Sequence, residues 1–216
     1  YVTSVSGATI GLSTGNTLAL STALTFTPGV VINASIQNNG LGNLTSLVKS
    51  GAGFVTLTNA NTYTGGTVVD QGTLNLASLG TGSLTQVGNA TNVVIPGDLI
   101  INGGTQGTGS AVTMLLNAGQ IATTSNVTIN GKGVLTLAGG NALNNTTYDN
   151  TLASVTFNNI GGETTAPAVV NAAGSTLLLS SSSAITATSM NAATVATISG
   201  GFLALRLATV RLGSMQ

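Results

Sequence analysis

Histidine and cysteine are both absent from this chain, and their absence removes much of the chemistry an enzyme uses near neutral pH. Without histidine there is no side chain that titrates near neutrality at its ordinary pKa, and the usual general base is missing. Without cysteine there is neither a disulfide framework nor a thiolate nucleophile. Losing both also removes the common zinc and copper donor sets. Charge is scarce as well. Lys49, Lys132, Arg206 and Arg211 are balanced by Asp70, Asp98, Asp149 and Glu163, and these are all the charged residues in 216. An ordinary globular chain has roughly a quarter of its residues charged. Four scattered cations set against four anions do not neutralise a phosphate backbone, so nucleic acid is excluded as a partner. A neutral surface gives little electrostatic steering and is expected to be nearly indifferent to salt and pH.

No apolar run approaches the roughly 18 residues of a membrane-crossing helix. No basic segment followed by an apolar core opens the chain, and Tyr1 is not an initiator methionine. The sequence therefore reads as one domain over residues 1–216, a processed product or fragment of a longer precursor whose signal peptide or anchor lies outside it. Disorder is excluded too. It accompanies low hydrophobicity and high net charge, whereas 42% of these residues are apolar and the net charge is zero.

What is present is a glycine leading into a short strand, six times over. Four copies are Gly53-Phe-Val-Thr-Leu57, Gly72-Thr-Leu-Asn-Leu76, Gly133-Val-Leu-Thr-Leu137 and Gly201-Phe-Leu-Ala-Leu205. Two have one extra residue, Gly15-Asn-Thr-Leu-Ala-Leu20 and Gly174-Ser-Thr-Leu-Leu-Leu179. The spacings are 38, 19, 61, 41 and 27, close to multiples of a unit near 20. Such a period marks a solenoid, whose repeats are too small to hide an apolar face alone and must stack.

Apolar residues alternate at period two, as in Val55 and Leu57, Leu74 and Leu76, and Leu135 and Leu137, the pattern of strands buried on one face. Corners are expected at Asn38-Asn39-Gly40, Gly65-Gly66, Asn102-Gly103-Gly104, Gly139-Gly140-Asn141, Asn158-Asn159 and Gly161-Gly162. Only residues 184–196 and 202–212 offer a helix any competition. The expected fold is all-β, a right-handed parallel β-helix with coils of about 20 residues, strands stacked about 4.8 Å apart and some ten coils in all. Leu57, Leu76 and Leu137 should fill equivalent inward positions. An antiparallel β-sandwich shares the short strands and glycine turns but does not explain the recurring unit.

Residues 47–76 carry Lys49, Gly51, Gly53, Val55, Leu57, Asn61, Tyr63, Gly65, Thr67, Val69, Gly72 and Leu74 at spacings that resemble the autotransporter-associated β-strand repeat, with Asn59 where that repeat has glycine. A degraded second copy aligns Gly133, Leu135, Thr136, Leu137 and Asn141 with Gly53, Val55, Thr56, Leu57 and Asn61. The resemblance implies a β-helical passenger segment of a bacterial surface or secreted protein, exported across the outer membrane through a C-terminal β-barrel not present here. It implies an adhesive or structural role and no cofactor. On physical grounds Tyr63 is expected to cover the end of the apolar interior with its hydroxyl in solvent. Asn59 and Asn61 are expected to bond corner backbone or to stack in ladders.

No catalytic, cofactor-binding or metal-binding residues stand out. Some parallel β-helices cleave polysaccharides with paired carboxylates, but Asp70, Asp98, Asp149 and Glu163 sit apart and read as solvated loop residues. Repeated aspartates for a calcium solenoid are missing, and Gly103-Gly104-Thr-Gln-Gly107 lacks the lysine of a phosphate loop. The sequons at Asn33, Asn43, Asn89, Asn126, Asn144 and Asn145 match by chance in so Asn- and Thr-rich a chain. Neither end shows a polar cap, which suggests coils joined to further coils or stacked on identical subunits. The chain is thus expected to be a non-enzymatic extracellular structural or adhesive protein, associating with itself or with cell-surface or matrix components. A carbohydrate-active enzyme and a passive spacer are the alternatives.

Overall fold

The computed structural model describes residues 24–25, 29–38, 40, 44–78, 93–103, 111–115, 119–137, 149–171, 173, 175–181 and 183–205. Among them are seventeen strands and no helix. The first half contains β1 (Leu24–Thr25), β2 (Gly29–Ile32), β3 (Leu47–Ser50), β4 (Phe54–Leu57), β5 (Thr67–Val69), β6 (Gly72–Leu76), β7 (Leu99–Gly103) and β8 (Ala111–Leu115). The second half contains β9 (Asn126–Gly131), β10 (Val134–Leu137), β11 (Asp149–Leu152), β12 (Ser154–Asn159), β13 (Ala168–Asn171), β14 (Thr176–Leu179), β15 (Ile185–Ser189), β16 (Thr197–Ser199) and β17 (Phe202–Leu205).

Every strand pairs in parallel with the strand one coil away, which makes the molecule a β-solenoid. The first sheet runs β1-β3-β5-β7-β9-β12-β15, the second β2-β4-β6-β8-β10-β13-β16, and the third β11-β14-β17. Parallel stacking brings equivalent positions into files. In the second sheet Ile32, Leu57, Leu76, Leu115 and Leu137 are in register. Leu57, Leu76 and Leu137 are all buried, as the alternation predicts. In the first sheet Leu99, Val127 and Val155 form one inward file, and Ile101, Ile129 and Phe157 another. Alternation works because successive side chains of a strand point to opposite faces, so each short apolar-polar run commits one face to the common interior.

The coils are not uniform. Asn75 lies above Thr56 after 19 residues, but Asn130 lies above Asn102 after 28 and Ser189 above Asn159 after 30. The glycine-led strands also occupy two different sheets. Those after Gly53, Gly72 and Gly133 are β4, β6 and β10 of the second sheet; those after Gly174 and Gly201 are β14 and β17 of the third. The gap from Gly72 to Gly133 holds two steps, through β8, rather than three. The copy at Gly15 lies outside the described residues. A coil of about 20 residues is therefore the local value around residues 47–76, where Leu47 pairs with Thr67. Elsewhere longer corners lengthen the turn without disturbing the stack, because loop closure costs little per added residue.

Two stretches where a helix might have competed are strand instead: β15 and β16 flank residues 190–196, and β17 occupies Phe202–Leu205; residues 206–212 lie outside the described residues. Asn158 and Asn159 do not form a corner but end β12. Gly139-Gly140-Asn141 lies outside the described residues. The corner after β5 depends on Gly72, which has a φ of +72° and whose added Cβ would sit 2.5 Å from the Gly51 carbonyl oxygen and 2.7 Å from Lys49 Nζ. Only glycine accepts both that backbone angle and that proximity.

Candidate interaction surfaces

Several buried polar side chains in the described coils hold neighbouring coils together. The Lys49 side chain points inward between Leu47 and the corner, is 2% exposed, and donates its protons to the carbonyls of Ser50 (3.0 Å), Gly51 (2.6 Å) and Gln71 (2.8 Å). Three ammonium protons meet three carbonyl oxygens from two adjacent coils, so the charge is paired with dipoles rather than with a carboxylate. Burial lowers its pKa from the ordinary lysine value of 10.5. Sequence reading placed Lys49 in the repeat without a role. The parity of Leu47 and Lys49 on one strand was the available signal.

Tyr63 corrects the sequence expectation. It is fully buried rather than wet at its tip, and its hydroxyl lies 2.5 Å from Thr67 Oγ1. Burial raises its pKa from 10.0 to about 12, against a smaller lowering effect of the Thr67 hydrogen bond. Asn61 behaves as expected of a corner amide and does more. Its Oδ1 accepts from Ile36 N–H at 2.8 Å and its Nδ2 donates to the Val94 carbonyl at 2.7 Å. One side chain thus bridges the coil below and the coil above. Gln120 makes a pair of bonds of this kind to one neighbouring coil, its amide accepting from Ser78 N–H (2.7 Å) and donating to the Ser78 carbonyl (3.1 Å). These amides stand on the side of the rod where β11, β14 and β17 later form a ladder. Side-chain amides supply there the donor and acceptor that a strand would otherwise offer.

The carboxylates do not converge. Asp70 Oδ1 accepts from Asn102 Nδ2 at 2.6 Å, and Asn102 Oδ1 accepts from Asn130 Nδ2 at 2.6 Å. Asp98 Oδ1 accepts from Asn126 N–H (2.8 Å) and Nδ2 (3.3 Å), and Asn126 Oδ1 accepts from Ser154 Oγ at 2.7 Å. Both aspartates lie in loop just outside a strand, Asp98 exposed and Asp70 half-buried, and each begins a hydrogen-bonded file on the outside of the first sheet. Glu163 is tied through its backbone to the Asn159 amide (2.8 and 3.0 Å), and Asp149 opens β11 on the third sheet. Among the described residues no three acidic side chains gather where a metal ion would bind, and no helix is long and apolar enough to cross a membrane.

The last described coil is different in kind. Ile185 stacks on Val155, Leu203 on Leu177 and Leu205 on Leu179. The lower member of each pair is buried, yet Ile185, Leu203 and Leu205 are 42%, 43% and 53% exposed. Among the described residues no further apolar layer covers their inward faces, and β15, β16 and β17 each end their sheet.

With this geometry established, comparison with known proteins gives one match. A family model described as the passenger-associated transport repeat covers residues 47–76. No curated protein and no solved structure matches the chain. The matched span begins at the first residue of β3 and ends at the last of β6. It therefore contains both of its own stacking contacts, β3 on β5 and β4 on β6. Residues 47–76 match the passenger-associated transport repeat, which fits a repeat of the autotransporter passenger type, and they fold as one and a half coils of a parallel β-solenoid.

Proposed function

We propose that this chain is a non-enzymatic structural segment of an exported bacterial surface protein, a rigid rod that associates end to end through its last described coil. The passenger repeat at residues 47–76 supports export and surface display. The exposed inward side chains Ile185, Leu203 and Leu205 carry the association. A solenoid edge offers unpaired backbone groups beside unfilled apolar positions, and another coil satisfies both at once. That coil comes from the continuing precursor or from a second copy. Near-zero charge removes the repulsion that would keep such ends apart. An adhesive role belongs to the same reading, because the outer faces present rows of Thr, Ser and Asn.

Sedimentation and electron microscopy of the purified chain test this directly. Concentration-dependent linear oligomers are expected, and the Leu203→Lys/Leu205→Lys double variant should shift them to single rods with unchanged circular dichroism. Single rods at every concentration from the parent chain would overturn end-to-end association.

A further inference from the structure

The outer face of the first sheet carries a pattern that neither stacking nor end-to-end association requires. Strand register aligns its outward side chains in files parallel to the rod axis. The middle file is Val48, Val68, Ile100, Thr128, Thr156 and Thr186. Every member is β-branched, so a row of methyl groups runs the length of the face. No hydrogen bond among the described residues engages the hydroxyls of Thr128, Thr156 or Thr186. On either side lie the two hydrogen-bonded files, Asp70–Asn102–Asn130 and Asp98–Asn126–Ser154. The face is open to solvent, with Ile100 37% exposed at its centre.

We propose that this face is a docking track for an uncharged, extended polysaccharide of β-1,4-linked pyranoses, lying along the rod axis. Such a polymer is a flat ribbon with axial C–H groups on its ring faces and hydroxyls along both edges. The face is its complement: an apolar ridge to receive ring faces, flanked by amide and hydroxyl groups to receive edge hydroxyls. Each sugar advances about 5 Å, close to the strand spacing of about 4.8 Å, so rings and β-branched residues remain in step over several strands. The only charges in these files are Asp70 and Asp98, both anionic, which disfavours polyanionic partners. The flanking side chains are already ordered by their mutual hydrogen bonds, which reduces the entropy lost on binding. Contact between a ring face and a methyl row is weak per atom, so affinity depends on engaging several rings at once. This surface lies on the side of the rod and is independent of the end-to-end contact proposed above.

The test uses the full 216-residue chain and measures retention on microcrystalline cellulose and on chitin, with amylose and heparin as comparison polymers. Retention on at least one β-1,4 polymer is expected, insensitive to added salt, and weaker by at least tenfold in Thr156→Lys, whose side chain would lie across the track. Thr156→Val keeps the methyl row and should lose only a few-fold. Val170→Lys, on the outer face of the second sheet, should bind as the parent does. Circular dichroism establishes that each variant is folded. Absence of retention on both β-1,4 polymers overturns the proposal, as does equal retention on amylose or heparin, or equal loss in Val170→Lys. It is likewise overturned if Thr156→Lys abolishes only a lateral dimer, or only an effect on ice-crystal growth, and leaves polymer binding unchanged.

Discussion

Replacing Asn61 by leucine keeps the branched four-atom skeleton of the side chain while removing both hydrogen-bonding groups. The leucine creates no cavity, and its bulkier methyl groups add some overpacking to the loss of the two bonds the amide makes across three coils. In the variant the Ile36 N–H and the Val94 carbonyl, 2.8 and 2.7 Å from the Asn61 amide, lose their partner in a site where Asn61 is 5% exposed. Each buried group left unpaired costs about 1–3 kcal/mol, so the pair should cost about 2–6 kcal/mol. Total stabilities are about 5–15 kcal/mol, so the loss is a large fraction of the whole. Coils couple mainly to their neighbours, so the damage should concentrate at the two junctions Asn61 bridges. Urea unfolding followed by circular dichroism should show a lowered midpoint, and amide exchange at Ile36 should accelerate. Asn61→Asp, which keeps an acceptor for Ile36 but places a carboxylate oxygen against the Val94 carbonyl, should be at least as damaging. An Asn61→Leu variant with the parent's midpoint and an equally protected Ile36 amide would refute the reasoning, because the amide would then not be what joins these coils.

Gly72→Ala should destabilise by about 2 kcal/mol or more, since its φ of +72° and the approach of Gly51 O leave no room for a methyl group; thermal unfolding measures it. The Tyr63 phenol is raised to about 12 in the fold from 10.0, so it stays neutral where the unfolded chain ionises. Its contribution is therefore intact below pH 10 and falls as pH rises from 10 toward 12. Tyr63→Phe should abolish that part of the pH dependence while costing about 1 kcal/mol for the lost Thr67 bond. Because Tyr1 and Tyr148 also absorb, the check is the native-state spectrophotometric titration of the parent minus that of Tyr63→Phe; a difference that titrates near 10 would contradict this. Lys49→Met should cost about 2 kcal/mol by stripping three carbonyls of their donor. Because burial lowers the Lys49 pKa in the fold, the charged form is the disfavoured one. The parent should therefore gain stability relative to this variant as pH climbs toward 10.5, which urea midpoints at several pH values would reveal.

The strands were legible because period-two alternation is a local property, readable wherever Val, Leu and Thr alternate. The coil length was not. Gly133–Leu137 and Gly201–Leu205 look alike in sequence but belong to the second and third sheets, because a glycine-led strand suits any side of a parallel solenoid. Spacing between such units therefore mixes whole coils with fractions of a coil. Tyr63 was misread for a related reason. Its burial depends on Thr67 standing four residues on and accepting or donating at 2.5 Å, a pairing that no composition rule favours over a wet phenol. The asparagines were legible in kind and not in place: ladders were foreseen, but which amides point inward across coils, as at Asn61, and which run along the outside, as at Asn102 and Asn130, follows from strand parity fixed by register.

Scarcity of charge and openness of the last coil have a common physical root. A parallel solenoid satisfies its backbone only through neighbours above and below, so any coil without a neighbour keeps both unpaired backbone groups and unfilled apolar positions. Charged residues at an edge would hold other strands away. Among the described residues of β15, β16 and β17 there are none. The same neutrality along the side of the rod leaves hydroxyls, amides and methyl groups as the means of contact. A partner recognised there must be selected by shape and repeat rather than by sign. The discriminating measurement is therefore salt dependence. Both the end contact and the lateral track should hold as ionic strength rises, and an interaction that weakens steeply with salt would have to arise from some surface other than these two.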